Sequence, residues 1–392
     1  MLRSSRLLLA ALVALPAACT VLTTTTSAAQ AAPPGTGWSL VFEDTFDDGV
    51  VDTTKWNYRT DIRELSSQKA ANVTESGGSA VVTVRAESDR GKSFTGGGLI
   101  TRQPFRYGYY ETRLKTNLGP GWHTAFWNKY APDGTTAFDP AAKTEVDGLE
   151  IDSVNPRNIR HNIFKWNGST YTTQATTGIY DLGFDSSAAF HTYGFEWAET
   201  SVKYYVDGVL KATQTYTPQQ YTHDYPHLWL SVVAAPYNGG YPDPAQLPAT
   251  IQFDYFRYWQ KDFYVDDDGP AAYGYSETGS WNPSTVSGWT VGSPTRYATC
   301  ASAGNTATWR PTLRAAGTYQ VFAYKVAQPN SDPDARYDVA GTTTHVDQTA
   351  GASGWVSLGT FPLPAGSANA VKLTSSGSGC TRADAVKFVR TS

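Results

Sequence analysis

From residue 37 to residue 260 the chain alternates short apolar or apolar-polar runs with clusters of Gly, Pro, Asn and Asp. Ser39–Glu43, Ala80–Ala86, Tyr107–Thr116, Val202–Val206, His227–Val233 and Ile251–Trp259 are runs of this kind. None keeps a three- to four-residue spacing for the length of a helix, whereas a period of two over a few residues is that of a half-buried strand. Short strands in such number predict an antiparallel sandwich of two sheets. Asp207-Gly208, between Tyr204-Tyr205-Val206 and Val209-Leu210, is a two-residue hairpin turn. Gly96-Gly97-Gly98 and Leu118-Gly119-Pro120-Gly121 supply turn or bulge chemistry. The pattern resumes from Phe263 to Ser392, so the chain divides into an all-β domain over 32–262 and a second, smaller all-β domain over 263–392. No Ser/Thr/Pro-rich linker marks the passage at Lys261-Asp262, which predicts domains that pack rather than swing.

One apolar run breaks the pattern. Leu7 to Val21 follows Arg3 and Arg6 and precedes Ala29-Gln30-Ala31, the layout of a secretory leader over 1–31, with an A-x-A cleavage site. Cys19 lacks the aliphatic residue expected three positions upstream in a lipoprotein, so the expected product is secreted and extracellular rather than lipid-anchored. No later stretch holds eighteen consecutive apolar residues. Beyond the leader only Cys300 and Cys380 remain, and in an oxidising compartment they are expected to pair.

A net charge of -4 shows no basic excess, which argues against nucleic acid and anionic membrane as partners. With 12 Trp and 24 Tyr among only 17% charged residues, a β-rich protein has rings to spare for stacking on the C–H faces of sugars. For any single ring the core is still the better expectation.

Glu145-Val146-Asp147-Gly148-Leu149-Glu150 places three carboxylates in a run whose Val146, Leu149 and Ile151 read as buried strand. Residues two apart share a face, so Glu145 and Asp147 point the same way, while Glu150 falls on the other face of a flat strand. One extra residue inserted as a bulge at Gly148 would return Glu150 to the first face. Two meanings follow: a solvated acidic edge carrying Glu150 or Asp152, or three carboxylates lining one cleft. The second arrangement is what glycoside hydrolysis requires, one carboxyl protonating the leaving oxygen and another attacking the anomeric carbon.

The collinear blocks Phe42-Glu43-Asp44-Thr45-Phe46, Tyr107 to Lys115, Gly121-Trp122-His123-Thr124-Ala125-Phe126-Trp127, the acidic run, Phe190 to Trp197 and Phe253 to Tyr258 resemble glycoside hydrolase family 16 over residues 37 to 261. The resemblance implies a concanavalin-like β-jelly-roll acting on a linear polysaccharide by a retaining mechanism. Carried over by position, Glu145 matches the nucleophile, Asp147 the orienting carboxylate and Glu150 the general acid/base. Their E-x-D-x-x-E spacing is that of the family's bulged branch. Trp122 matches a sugar-stacking ring, while Trp127 is assigned to the core. His161 and Trp166 join the substrate-binding set, with Lys165 beside them as a partner for an acidic sugar. The resemblance further implies no catalytic cofactor, a structural calcium on Asp254, Glu43 and Gly78, and a monomer.

Family members acting on β-1,3-glucan carry W-P-A-x-W ahead of the acidic strand, and this chain departs from it. A β-1,3-glucan is the first expected substrate and a β-galactan the second, with transglycosylation or sugar recognition without catalysis as the other outcomes. In the second domain, Val265-Asp266-Asp267, Thr278-Gly279-Ser280-Trp281, Ala307 to Pro311, Ala316 to Val321 and Ala383 to Val389 resemble the golvesin C-terminal-like carbohydrate-binding domain. It is expected to bind or pack, with Trp281, Trp289 and Trp355 as its candidate stacking rings and two of the three in the core.

Overall fold

The computed structural model describes residues 33–117, 119–131, 143–216, 225–269, 273–289 and 294–392. The leader, Cys19, Leu118 and the run Asp139 to Ala142 lie outside the described residues.

Two antiparallel-dominated sheets face each other. One, of eight strands, runs in the order Val209–Thr215, Ser201–Val206, His191–Trp197, Gly108–Lys115, Ala249–Gln260, Ala80–Val84 and Val73–Glu75, with Ser39–Asp44 added along Ala249–Gln260. The other, of ten strands, has Thr170–Thr176, Asn158–Asn167, Thr144–Asp152, Trp122–Lys129, His227–Ala234 and Phe94–Thr101 as consecutive neighbours. The acidic run is therefore an interior strand with a partner on each side, not a solvated edge. Its Val146, Leu149 and Ile151 point into the space between the sheets, where each is at most 1% exposed.

Rings fill that space. Phe126 on one sheet meets Phe195 and Phe256 on the other at 5.3 and 6.1 Å, and Phe195 lies stacked on Tyr110 at 4.5 Å. Burying each such side chain contributes about 1.5–3 kcal/mol, so these rings are a main part of what joins the sheets.

The closing strand of the first sandwich ends at Gln260 and the next strand, Phe263–Val265, begins after two residues. It pairs with Val386–Arg390, which continues through Gly317–Lys325 to Gly354–Leu363 in a four-stranded sheet. Five-stranded and three-stranded sheets complete the domain around a core that includes Trp309, Tyr319, Tyr337, Leu373 and Phe388. Cys300 and Cys380 form a disulfide across a sequence separation of 80 residues. A loop of that size restricts the unfolded chain enough to stabilise the fold by about 4.5 kcal/mol in the chain-entropy model.

Candidate active site

The strand Thr144–Asp152 does not pair evenly. Against Trp122–Lys129 the register slips between Asp147 and Leu149, and against Asn158–Asn167 it slips between Asp147 and Glu150. The extra residue is Gly148. Its insertion keeps Leu149 and Ile151 in the core and brings Glu150 to the face of Glu145 and Asp147, where all three line one cleft of about 340 Å³.

Space explains the glycine. A Cβ at Gly148 would stand 2.2 Å from Cδ1 of Phe195, the ring already stacked on Tyr110. The carbonyl exposed by the bulge is held from below by His161, whose Nδ1 lies 3.0 Å from Gly148 O and whose Nε2 lies 2.8 Å from the Tyr180 hydroxyl. Nδ1 must donate to the carbonyl, so Nε2 accepts from Tyr180. Burial holds this imidazole neutral, down to about 3, and Tyr204 stacks on its face at 4.1 Å.

Each carboxyl has its own surroundings. Glu145 Oε2 accepts from Trp166 Nε1 at 2.9 Å and faces Lys129 Nζ at 3.4 Å. Burial raises Glu145 in spite of the lysine, and burial in turn lowers Lys129 to about 8. Asp147, between its two neighbours, is raised well above the carboxylate range by burial first and by the charges of Glu150 and Glu145 next. Its Oδ2 is buried without a hydrogen-bond partner.

Glu150 goes the other way. Burial alone would raise it, but His123 and Arg160 outweigh burial and hold it down to about 2. Arg160 Nε lies 3.0 Å from Oε2, His123 Nε2 lies 3.3 Å from Oε1, and Asn162 donates to Oε2. Asp152 closes the ring of charges, 2.7 Å from His123 Nδ1 and 3.4 Å from Arg160 Nη1. The hydrogen bonds of Asp152 and Glu150 overcome burial and lift His123 to about 9, which makes it an imidazolium at neutral pH. Of the three carboxyls, Asp147 is the one whose surroundings most favour the protonated form and Glu150 the one whose surroundings favour the ionised form. Burial and a carboxyl on either side cause the first effect, and the two cations facing Glu150 cause the second.

Several sequence expectations change on the strand preceding the acids. His123, Ala125, Trp127 and Lys129 face the cleft, whereas Trp122 points inward, 2% exposed and edge-on to Phe94 at 6.2 Å. Trp122 is core and Trp127, expected in the core, is the cleft ring, its Nε1 donating to Ser231. On Asn158–Asn167, Arg160, Asn162, Phe164 and Trp166 face the cleft. His161 and Lys165 share the opposite face, so His161 supports the bulge instead of touching sugar and Lys165 is not a cleft cation. Trp166 does line the cleft.

The carboxylates expected to hold calcium, with the Gly78 carbonyl, are Asp254 and Glu43, and both are engaged by arginines. Asp254 pairs with Arg113 at 2.7 Å and Glu43 with Arg257 at 2.5 Å, so each carboxylate is neutralised by a guanidinium, and these residues do not fit an oxygen cage for calcium. His123, Lys129, Arg160 and Asn162 escaped sequence reasoning. One signal was available for His123: aligning W-P-A-x-W on Ala125 and Trp127 puts its first position at His123, not Trp122.

A family model for glycosyl hydrolases family 16 matches residues 59–257, and one for the golvesin C-terminal domain matches residues 265–390. The kappa-carrageenase of Pseudoalteromonas carrageenovora is 29% identical over 269 residues, covering 59% of this chain and 66% of its own length. A beta-glucanase of Acetivibrio thermocellus is 28% identical over 208 residues, covering 52% and 57%. The chain thus spans less than two thirds of the length of these curated relatives. Among solved structures, the same kappa-carrageenase in complex with an oligotetrasaccharide of kappa-carrageenan superposes with a TM-score of 0.50 at 26% identity, covering 60% of this chain and 99% of that one. A mutant of SCLam, a non-specific endo-beta-1,3(4)-glucanase, gives a TM-score of 0.50 at 27% identity, covering 58% and 96%. With a family model spanning half of its length and three carboxyls gathered by the bulge, this chain belongs to glycosyl hydrolases family 16.

Proposed function

We propose that the chain is a retaining endo-glycosidase that hydrolyses β-glycosidic bonds in a polysaccharide, with β-1,3-glucan as its first substrate. One observation carries this reading: the bulge at Gly148 sets Glu145, Asp147 and Glu150 side by side in a cleft that also holds Trp127, Trp166 and Tyr171. Glu145, oriented by the Trp166 indole and balanced by Lys129, is the nucleophile. Asp147 holds the proton that keeps three adjacent carboxyls from ionising together. The proton held by Asp147 passes to Glu150, which delivers it to the leaving oxygen as Glu145 forms the glycosyl ester; Glu150 then draws a proton from the water that releases the glycosyl group, and that proton returns to Asp147. The leader pattern and the disulfide support action outside the cell.

Digestion of laminarin, mixed-linkage glucan, agar and carrageenan with the whole chain tests the reading. Laminarin is expected to yield short oligosaccharides, and failure to cut any of the four would overturn the proposal. A β-galactan is the second reading, favoured by the likeness to kappa-carrageenase and by Arg63 and Arg160 in the cleft wall.

Trp166→Phe removes the indole N–H that favours ionised Glu145. A hydrogen bond to a charged group contributes about 1.5–3 kcal/mol, so the proton affinity of Glu145 rises by about 1–2 pKa units. Because the nucleophile must be ionised, the acid limb of kcat/KM moves to higher pH by that amount. An unmoved limb in the pH–rate profile would show that the indole does not tune Glu145.

A further inference from the structure

Glu199 sits in the tight turn between His191–Trp197 and Ser201–Val206, on the sheet opposite the cleft. Its carboxylate is half-buried against the second domain. Trp289 Nε1 and Trp355 Nε1 both donate to Oε1, at 2.7 and 2.8 Å, and Lys387 Nζ reaches Oε2 at 3.0 Å. All three donors belong to the second domain. They form a pocket walled by rings: Tyr264 stacks on Trp289 at 5.3 Å, Trp289 meets Trp355 at 5.3 Å, and Lys387 lies 4.3 Å from the Trp355 ring. Lys387 and Glu199 are 15% and 17% exposed.

Two indole N–H groups and an ammonium converging on one point suit a carboxylate and little else, since every group aimed at the site is a donor. The first domain adds a second contact. Arg106, 4% exposed, sets its guanidinium 4.6 Å from Trp289 and 5.6 Å from Tyr264. Trp289 and Ala385 join the same buried cluster as Phe126, Val146 and Phe195, so the core that supports the acidic strand extends into the second domain.

We infer that the aromatic pocket of the second domain is a carboxylate-docking surface whose partner is Glu199 of the same chain, and that the two domains consequently fold and unfold as one unit. Trp289 and Trp355, two of the three candidate stacking rings, are committed to this joint. The second domain is then a structural half of the protein, fixed against the sheet behind the cleft, and not a module on a tether. This conclusion goes beyond the proposed activity and stands whether or not a polysaccharide is cut.

The full-length chain is the material for the test. Scanning calorimetry is expected to show a single unfolding transition for the wild type. Glu199→Ala takes the shared acceptor from a half-buried ammonium and two indole N–H groups, and is expected to lower Tm by about 5 °C or more and to split the transition in two. Acrylamide quenching of tryptophan fluorescence should rise as Trp289 and Trp355 become accessible. Glu199→Gln, which keeps the shape and one acceptor, and Lys387→Met serve if the alanine variant does not fold, each with a smaller drop in Tm. Two separate transitions in the wild type, or Glu199→Gln and Lys387→Met that melt and quench as the wild type does, would overturn the inference.

Discussion

Glu145→Gln is expected to reduce kcat by about 10⁴-fold or more while leaving the fold in place. The amide keeps the size of the carboxyl and its carbonyl still accepts from Trp166, but it cannot form the glycosyl ester on which a double displacement depends. Lys129, 1% exposed, loses its charge partner, so part of any loss could come from stability instead of chemistry. A thermal melt separates the two. Glu145 is also the carboxyl whose removal leaves the His123, Asp152 and Arg160 ring around Glu150 intact, so substrate affinity should change far less than turnover. Retention of more than about a hundredth of wild-type kcat, with a normal melt, would move the nucleophile elsewhere.

The second large effect is expected from a residue with no side chain. Gly148→Ala drives a methyl to 2.2 Å from Phe195 Cδ1 and to 3.0 Å from Phe126 O. Phe195 is fully buried and stacked on Tyr110, so the ring has little room to yield and the strand must shift instead. Overpacking of this kind costs about 1–3 kcal/mol. Displacing Glu150 by on the order of 1 Å costs about 10²-fold in rate even in molecules that fold. The variant should therefore lose both Tm and kcat, and the kcat deficit should persist at temperatures where the protein is fully folded. A variant that melts lower yet turns over normally would mean that the bulge serves stability alone.

The same glycine shows what the sequence could and could not carry. The parity of Glu145, Asp147 and Glu150 required one inserted residue, and a period-two rule was enough to place it at Gly148. Why glycine stands there was not legible. Gly148 is not among the residues with positive φ, and the demand comes from Phe195, forty-seven positions away in sequence and on the other sheet.

Trp122 and Trp127 teach a related lesson. Both lie on Trp122–Lys129 at opposite parity, each face of that strand carries aromatic residues, and alternation alone does not say which face meets the cleft. Pairing decides it: Trp127 lies opposite Asp147. Cross-strand register likewise brings Arg160 opposite Glu150 and His123 opposite Asp152, and with them the charge ring that favours ionised Glu150. The resemblance implies calcium on Glu43 and Asp254, and their immediate neighbours in sequence show no cation for either. The arginines that neutralise them, Arg257 and Arg113, sit on neighbouring strands. Local patterning thus reveals which residues are chemical, while their partners depend on which strand lies beside which.

The most direct test of the bulged-strand chemistry is the configuration of the sugar at the moment of release. Proton NMR of a β-linked oligosaccharide digested by the full-length wild type should show the β-anomer of the new reducing end appearing first, with the α-anomer growing in only as mutarotation proceeds. An α-anomer formed first would mean that water attacks directly, and would contradict the assignment of Glu145 as a covalent nucleophile beside Asp147 and Glu150.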